Sequence, residues 1–240
     1  NKSIGAGDDI IITGNGNIVT AKGANLLSDT NKSGTGGIFI VNNSNTGGST
    51  TQIDGNLDTS TASPDDIQLI HNGVSTAKVV VAGNVTTHQG GDILVWSDGG
   101  IDLSGVFMGS DDVSITALGQ SAVIRGPITA DVDGPGNGLI AYAAPFAQTK
   151  LYPTAVLTAP NVLLGFADNP TPLIQSLLGG WIGTNSISGV NATGGAYAKA
   201  ADKPAVQILT NNLTAVLFGS LNAPIAGNSD WLQNQLQINP

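Results

Sequence analysis

Hydrophobic and polar positions alternate in short bursts along this chain. Between Asp92 and Ala130 it reads DILVWSDGGIDLSGVFMGSDDVSITALGQSAVIRGPITA, a series of alternating runs parted by Gly, Asp and Ser. A period of two is that of a half-buried β-strand, and the separating residues are those that favour turns. The first half, DILVWSDGGIDLSG, maps onto the second, DVSITALGQSAVIRGP, with the leading residues Asp92 and Asp112 twenty positions apart. Each half predicts one coil of a stacked β-structure. In such a solenoid a coil buries its inward side chains only against the coils above and below.

The same texture extends to both sides. Asp9–Thr13, Asn17–Thr20, Gly37–Val41, Asp65–His71, Lys78–Ala82, Asn84–Thr87 and Gly138–Ala144 read as strands. Lys22–Gly37, interrupted only by Leu26 and Leu27, reads as a loop, as does the polar stretch Asn42–Thr51; Gln52–Thr61 is weakly patterned. An Asp followed by Ile or Val, any residue, then Ile, Leu or Val starts at Asp9, Asp66, Asp92 and Asp112, at intervals of 57, 26 and 20 residues. The first interval fits three periods of about 19, and the second one period plus an insertion. The expectation is an all-β fold, a parallel β-helix (β-solenoid) over residues 1–144, with a β-sandwich as the competing reading.

After Ala144 the pattern changes. Pro becomes common and longer apolar runs appear. Thr171–Gly183 predicts a short helix with Thr171 as N-cap and Pro172 at its first position. Asp230–Ile238 predicts another, capped by Ser229 or Asp230. Ala205–Thr210 and Leu213–Phe218 read as strands. Residues 145–240 are therefore expected to be a C-terminal cap or assembly subdomain. Its apolar segments 155–166 and 213–219 would cover the solenoid's end or pair with another subunit's edge.

Composition narrows the possible functions. Charged residues make up 10% of the 240 positions, all 17 acidic residues are Asp, and aromatics are 5%. Absence of Glu, a helix former, together with 33 glycines, favours strands and turns. A net charge of −9 with eight basic residues argues against nucleic acid as a partner. With no Cys, thiol catalysis and disulfides are excluded, and the composition fits an exported bacterial protein. The sequence begins at Asn1, which a removed leader would explain. No run reaches the roughly eighteen apolar residues of a membrane helix.

Three clusters carry candidate chemistry. Asp8 and Asp9, in GAGDDIIITGNGN, offer hard oxygen ligands suited to calcium, and are equally suited to closing Asx-turns. Asp92 and Asp112, if one coil apart, would be vertical neighbours about 4.8 Å apart at the backbone. That places two carboxylates as a glycosidase acid–base pair would need them, or as a solvated turn edge. The two histidines, His71 and His88, would either share a metal or stand as exposed strand or turn residues. Trp96 and Tyr142 are the aromatics of the repetitive half that would be available to stack sugars. Gly14–Gly16 and Gly134–Gly138 lack the strand-to-helix setting of a phosphate loop. Six Asn-x-Ser/Thr sequons are as many as so Asn-rich a chain would contain by chance.

Gly91-Asp92-Ile93, Gly99-Gly100-Ile101-Asp102-Leu103-Ser104-Gly105, Asp112-Val113-Ser114-Ile115-Thr116-Ala117 and Gly126-Pro127-Ile128-Thr129-Ala130 resemble coils of filamentous-haemagglutinin-like adhesins and autotransporter passengers. The resemblance covers about residues 66–144 and implies a right-handed parallel β-helix. It also implies a non-enzymatic structural or adhesive protein, extracellular or at the bacterial cell surface. Its partners would be further copies of itself, as an oligomer or fibre through the C-terminal third, and a host or glycan surface. The competing expectation is a polysaccharide-binding or polysaccharide-cleaving β-helix of tailspike or lyase type. Calcium is the one cofactor for which the sequence offers ligands.

Overall fold

The computed structural model of the chain describes residues 3–31, 36–59, 64–119, 121–134, 136–144, 148–151, 154–167, 181–182, 207–209 and 212–218. They form a β-solenoid of about six turns with no helix. The first turns comprise β1 (Ile4–Gly5), β2 (Ile10–Gly14), β3 (Ile18–Thr20), β4 (Leu26–Leu27), β5 (Ile38–Asn42), β6 (Thr50–Ile53) and β7 (Leu57–Asp58). The middle turns comprise β8 (Ile67–His71), β9 (Lys78–Val81), β10 (Val85–Thr86), β11 (Ile93–Ser97), β12 (Gly100–Leu103), β13 (Phe107–Met108), β14 (Val113–Ala117), β15 (Ser121–Ile124) and β16 (Ile128–Thr129). Beyond them lie β17 (Leu139–Ala143), β18 (Gln148–Leu151), β19 (Val156–Thr158), β20 (Asn161–Ala167), β21 (Trp181–Ile182), β22 (Gln207–Leu209) and β23 (Asn212–Phe218).

From β1 to β20 successive strands go to three sheets in rotation. Sheet A runs β1-β4-β7-β10-β13-β16-β19-β22-β21, sheet B β2-β5-β8-β11-β14-β17-β20-β23, and sheet C β3-β6-β9-β12-β15-β18. Within each sheet the paired strands run parallel, as in Ile93↔Val113 of sheet B and Ile101↔Ala122 of sheet C. That pattern excludes the antiparallel sandwich. Stacking continues past residue 144, since β17 pairs with β20 and β20 with β23. Of the helix expected at Thr171–Gly183, the described residues Trp181–Ile182 are a strand. The remainder of that stretch, and the helix expected at Asp230–Ile238, lie outside the described residues.

The core follows from the alternation. Strands β5, β8, β11 and β14 each bury their first, third and fifth residues and turn the other two outward. Ile38, Ile67, Ile93 and Val113 thus stack in one fully buried aliphatic column, and Ile40, Leu69, Val95 and Ile115 in the next. At about 25 cal/mol per Å² of apolar surface, such columns are the main stabilising contribution. Among the described residues Phe107 is the largest fully buried side chain.

Coil length is uneven. In sheet B the register advances 28 residues from Ile10 to Ile38, 29 to Ile67, 26 to Ile93 and 20 to Val113. The 57-residue interval from Asp9 to Asp66 is therefore two long coils, not three short ones. The additional residues sit at corners, where a loop can lengthen without disturbing the stacked columns. Leu26–Leu27 and Leu57–Asp58, expected in loop or weakly patterned sequence, are two-residue strands of sheet A. Two residues are too few to show a period, so neighbouring coils define these strands.

Glycine marks the places where coils touch backbone to backbone. A Cβ added at Gly83 would lie 1.9 Å from the Gly55 carbonyl oxygen, one at Gly105 1.9 Å from that of Gly83, and one at Gly126 1.9 Å from that of Gly105. These form one column between sheets C and A. Gly105 and Gly126, both in the motif-bearing stretches, are required there by space.

Candidate functional site

The aspartates that lead the sheet B strands form a column on successive coils. Counting back one residue from each paired strand gives Asp9, Gly37, Asp66, Asp92, Asp112 and Leu139. Each carboxylate in it accepts a backbone N–H from the next coil. Gly37 N–H donates to Asp9 Oδ1 at 2.8 Å, Asp92 N–H to Asp66 Oδ1 at 2.9 Å, Asp112 N–H to Asp92 Oδ1 at 3.0 Å and Leu139 N–H to Asp112 Oδ1 at 2.8 Å. These are charge-assisted bonds between coils. The turn-closing bond expected within a coil is replaced by a staple to the coil that follows.

The preceding column alternates Asp and Gly: Asp8, Gly36, Asp65, Gly91, Asp111 and Gly138. Asp65 Oδ1 accepts the Gly36 N–H at 2.8 Å. A Cβ at Gly91 would meet the Asp65 carbonyl oxygen at 2.2 Å, and one at Gly138 the Asp111 carbonyl oxygen at 2.6 Å. The Gly-Asp pair at residues 91–92 is thus a packing requirement followed by a staple.

Gathering carboxylates in this way perturbs two of them. Burial pushes the Asp92 carboxyl above the ordinary range; the Asp112 backbone bond opposes the rise, while the charges of Asp66, Asp112 and Asp111 add to it. Asp111 is also raised, by burial first and then by Asp112 and Asp131. Its Oδ1 is buried without a hydrogen-bond partner. Asp92 and Asp112 are consecutive in the stack, as their spacing predicts.

The histidines are far apart in role. His71 ends β8 and is fully buried, contrary to the exposed position expected of it. Its Nδ1 lies 3.1 Å from Thr51 Oγ1 and its Nε2 3.1 Å from Ser49 Oγ. Thr51 Oγ1 also accepts from Asn42 Nδ2 at 3.1 Å, which links Asn42, Thr51 and His71 in one buried polar network. Burial pushes the pKa of His71 down, opposed by the backbone of Lys78 and the charge of Asp98. His88 belongs to another network, with its Nε2 3.1 Å from Asp58 Oδ1. The two rings share no ligand. Asn42, Ser44, Ser49 and Thr51, in the stretch read as an exposed loop, are buried. Of these, Asn42, Ser49 and Thr51 form a polar network with His71.

The outer faces differ. On sheet C, Asp102 bridges two coils, receiving Lys78 Nζ at 3.4 Å and Arg125 Nε at 3.1 Å. On sheet B, Trp96 points outward and its indole N–H donates to Asp98 Oδ1 at 3.0 Å. Asp98 Oδ2 accepts Gly73 N–H at 2.9 Å, another bond to the preceding coil. Tyr142, expected to be available for stacking sugars, is 2% exposed and part of the core. Its place in β17 turns it inward opposite Ile115.

Asp8 and Asp9 are exposed at the first coil, with the Asp8 carbonyl oxygen accepting Asp29 N–H at 3.3 Å. Among the described residues no group of three or more His, Cys, Asp or Glu side chains is arranged to hold a metal. No helix among them is long and apolar enough to cross a membrane. Comparison with protein-family models, curated proteins and solved structures found no match. Sequence reasoning identified the leading aspartates but not Asp65 and Asp98 as staples, nor the buried Asn42–Thr51–His71 network. The alternation of Asp and Gly two positions before the paired residues of sheet B was the signal that could have shown Asp65.

Proposed function

We propose that this chain is a non-enzymatic extracellular structural or adhesive protein, an adhesin stalk or self-assembling subunit at a bacterial cell surface. The observation that carries this reading is the engagement of the aspartate column. Asp66, Asp92 and Asp112 each spend a carboxylate oxygen on a neighbouring coil's backbone. A row built to hold coils together serves a long, rigid body. Low charge and an aliphatic core suit the same role, and the apolar C-terminal third supplies subunit contacts. Electron microscopy of the full chain tests it. Filaments or large elongated particles are expected, and a dispersed monomer at high concentration would contradict assembly.

A second reading is a polysaccharide-binding or polysaccharide-cleaving β-helix. It is favoured by the raised carboxyl of Asp92 directly below Asp112. Loss of Tyr142 to the core leaves Trp96 as the aromatic of the original pair on the surface. If this reading holds, fragments are released from a glycan panel and Asp92→Asn abolishes the release. No release from any glycan removes the cleavage arm.

A further inference from the structure

The three faces of the solenoid are unequal. The outward positions of sheet B from β2 to β20 include Ile11, Phe39, Val41, Ile70, Leu94 and Trp96, and not one of the outward positions carries a charged side chain. Sheet C carries Lys78 and Asp102 outward, and sheet A carries Asp58. Strands such as Ile38–Val41 and Ile93–Trp96 are apolar on both sides, the composition of a parallel sheet covered on both faces. Ile11 is 66% exposed and Leu163 37%, while Phe39, Val41, Ile70, Leu94 and Trp96 between them are half-buried.

We infer that this face pairs with the same face of a second copy of the chain. Two considerations select that occupant. First, each copy carries a net charge of −9, so two copies approach at least cost through the face that has no charge. Second, the size suffices. Seven strands about 4.8 Å apart, each about five residues of 3.3 Å, make a face of roughly 500 Å². Two such faces bury about 1,000 Å², where specific interfaces begin. A two-fold interface is self-complementary. β11 is the fourth of the seven strands, so Leu94 and Trp96 lie at its centre, where anchor residues contribute most. The carboxylates of Asp66, Asp92 and Asp112 flank the face and form an acidic rim, so added salt should tighten the pair.

This inference rests on the assembly reading and names a surface for it, in addition to the C-terminal third. Sedimentation of the full chain, with Leu94→Asp and Trp96→Lys checked for unchanged circular dichroism, is the test. The expected result is self-association that weakens at least about tenfold in both variants and strengthens with salt. Because the chain has no Cys, Leu94→Cys alone should form disulfide-linked pairs, and Gln52→Cys on sheet C should not. Assembly that persists in both variants overturns this surface and leaves the assembly reading standing. A monomeric parent chain overturns both. A face that binds neutral glycan without self-association also overturns the inference.

Discussion

Asp65 and Asp66 are adjacent in the chain and staple it in opposite directions. Asp65 Oδ1 accepts the Gly36 N–H of the coil before, and Asp66 Oδ1 accepts the Asp92 N–H of the coil after. The pair ties three consecutive coils together at one corner. Strand alternation turns the two side chains to opposite faces of the sheet, and from there one reaches the coil before and the other the coil after.

Charge and acceptor can be separated at Asp92. Asn keeps the acceptor oxygen for the Asp112 N–H and removes repulsion from Asp66, Asp112 and Asp111. Asp92→Asn should therefore leave stability at neutral pH unchanged or raise it by up to about 1 kcal/mol, whereas Asp92→Ala should lower it by about 1–2 kcal/mol. Denaturant unfolding of the two variants beside the parent checks the order.

Acidity should act with two opposite signs. Asp92 and Asp111 have raised folded values, so their contribution to stability is full below the ordinary carboxylate range and is lost as pH rises through the raised values. His71 has a lowered folded value, so its contribution is present above the ordinary 6.5 and is lost as pH falls through the folded value. The stability advantage of Asp92→Asn over the parent should be largest at neutral pH and close on acidification. His71→Gln should flatten the loss just below pH 6.5. Melting curves across pH measure both.

The glycine column should be intolerant. Gly105→Ala places a methyl 1.9 Å from the Gly83 carbonyl oxygen, and backbone cannot yield as a side chain would. The expected loss is about 3 kcal/mol, the upper end of forced overpacking. Gly16→Ala, with nothing within 4 Å of the added Cβ, should change stability by less than about 1 kcal/mol.

Calcium is tested by chelation. Asp9 spends an oxygen on Gly37 N–H, which accounts for it without a metal. The melting temperature should be unchanged by a chelator, and a drop would assign Asp8 and Asp9 to calcium.

Legibility in the sequence followed strand length. Five-residue strands such as Ile93–Ser97 and Val113–Ala117 alternate clearly enough to be read. The two-residue strands of sheet A carry no period, and unequal corner loops disguised two long coils as three short ones. The leading aspartates were visible, but their partners were not, because each accepts from a residue 20 to 28 positions away. Only the stacking register brings such pairs together. His71 looked exposed because its neutral, polar neighbours resemble a surface; burial becomes evident once Thr51 and Ser49 are seen to flank its ring.

The central claim is that the aspartate column is structural, and Asp112 tests it most directly. Its Oδ1 accepts Leu139 N–H at 2.8 Å. In equilibrium unfolding at neutral pH, Asp112→Ala is predicted to lose about 1–3 kcal/mol while Asp112→Asn stays within about 0.5 kcal/mol of the parent. Unchanged stability in Asp112→Ala would contradict the claim and release the carboxylate for another function.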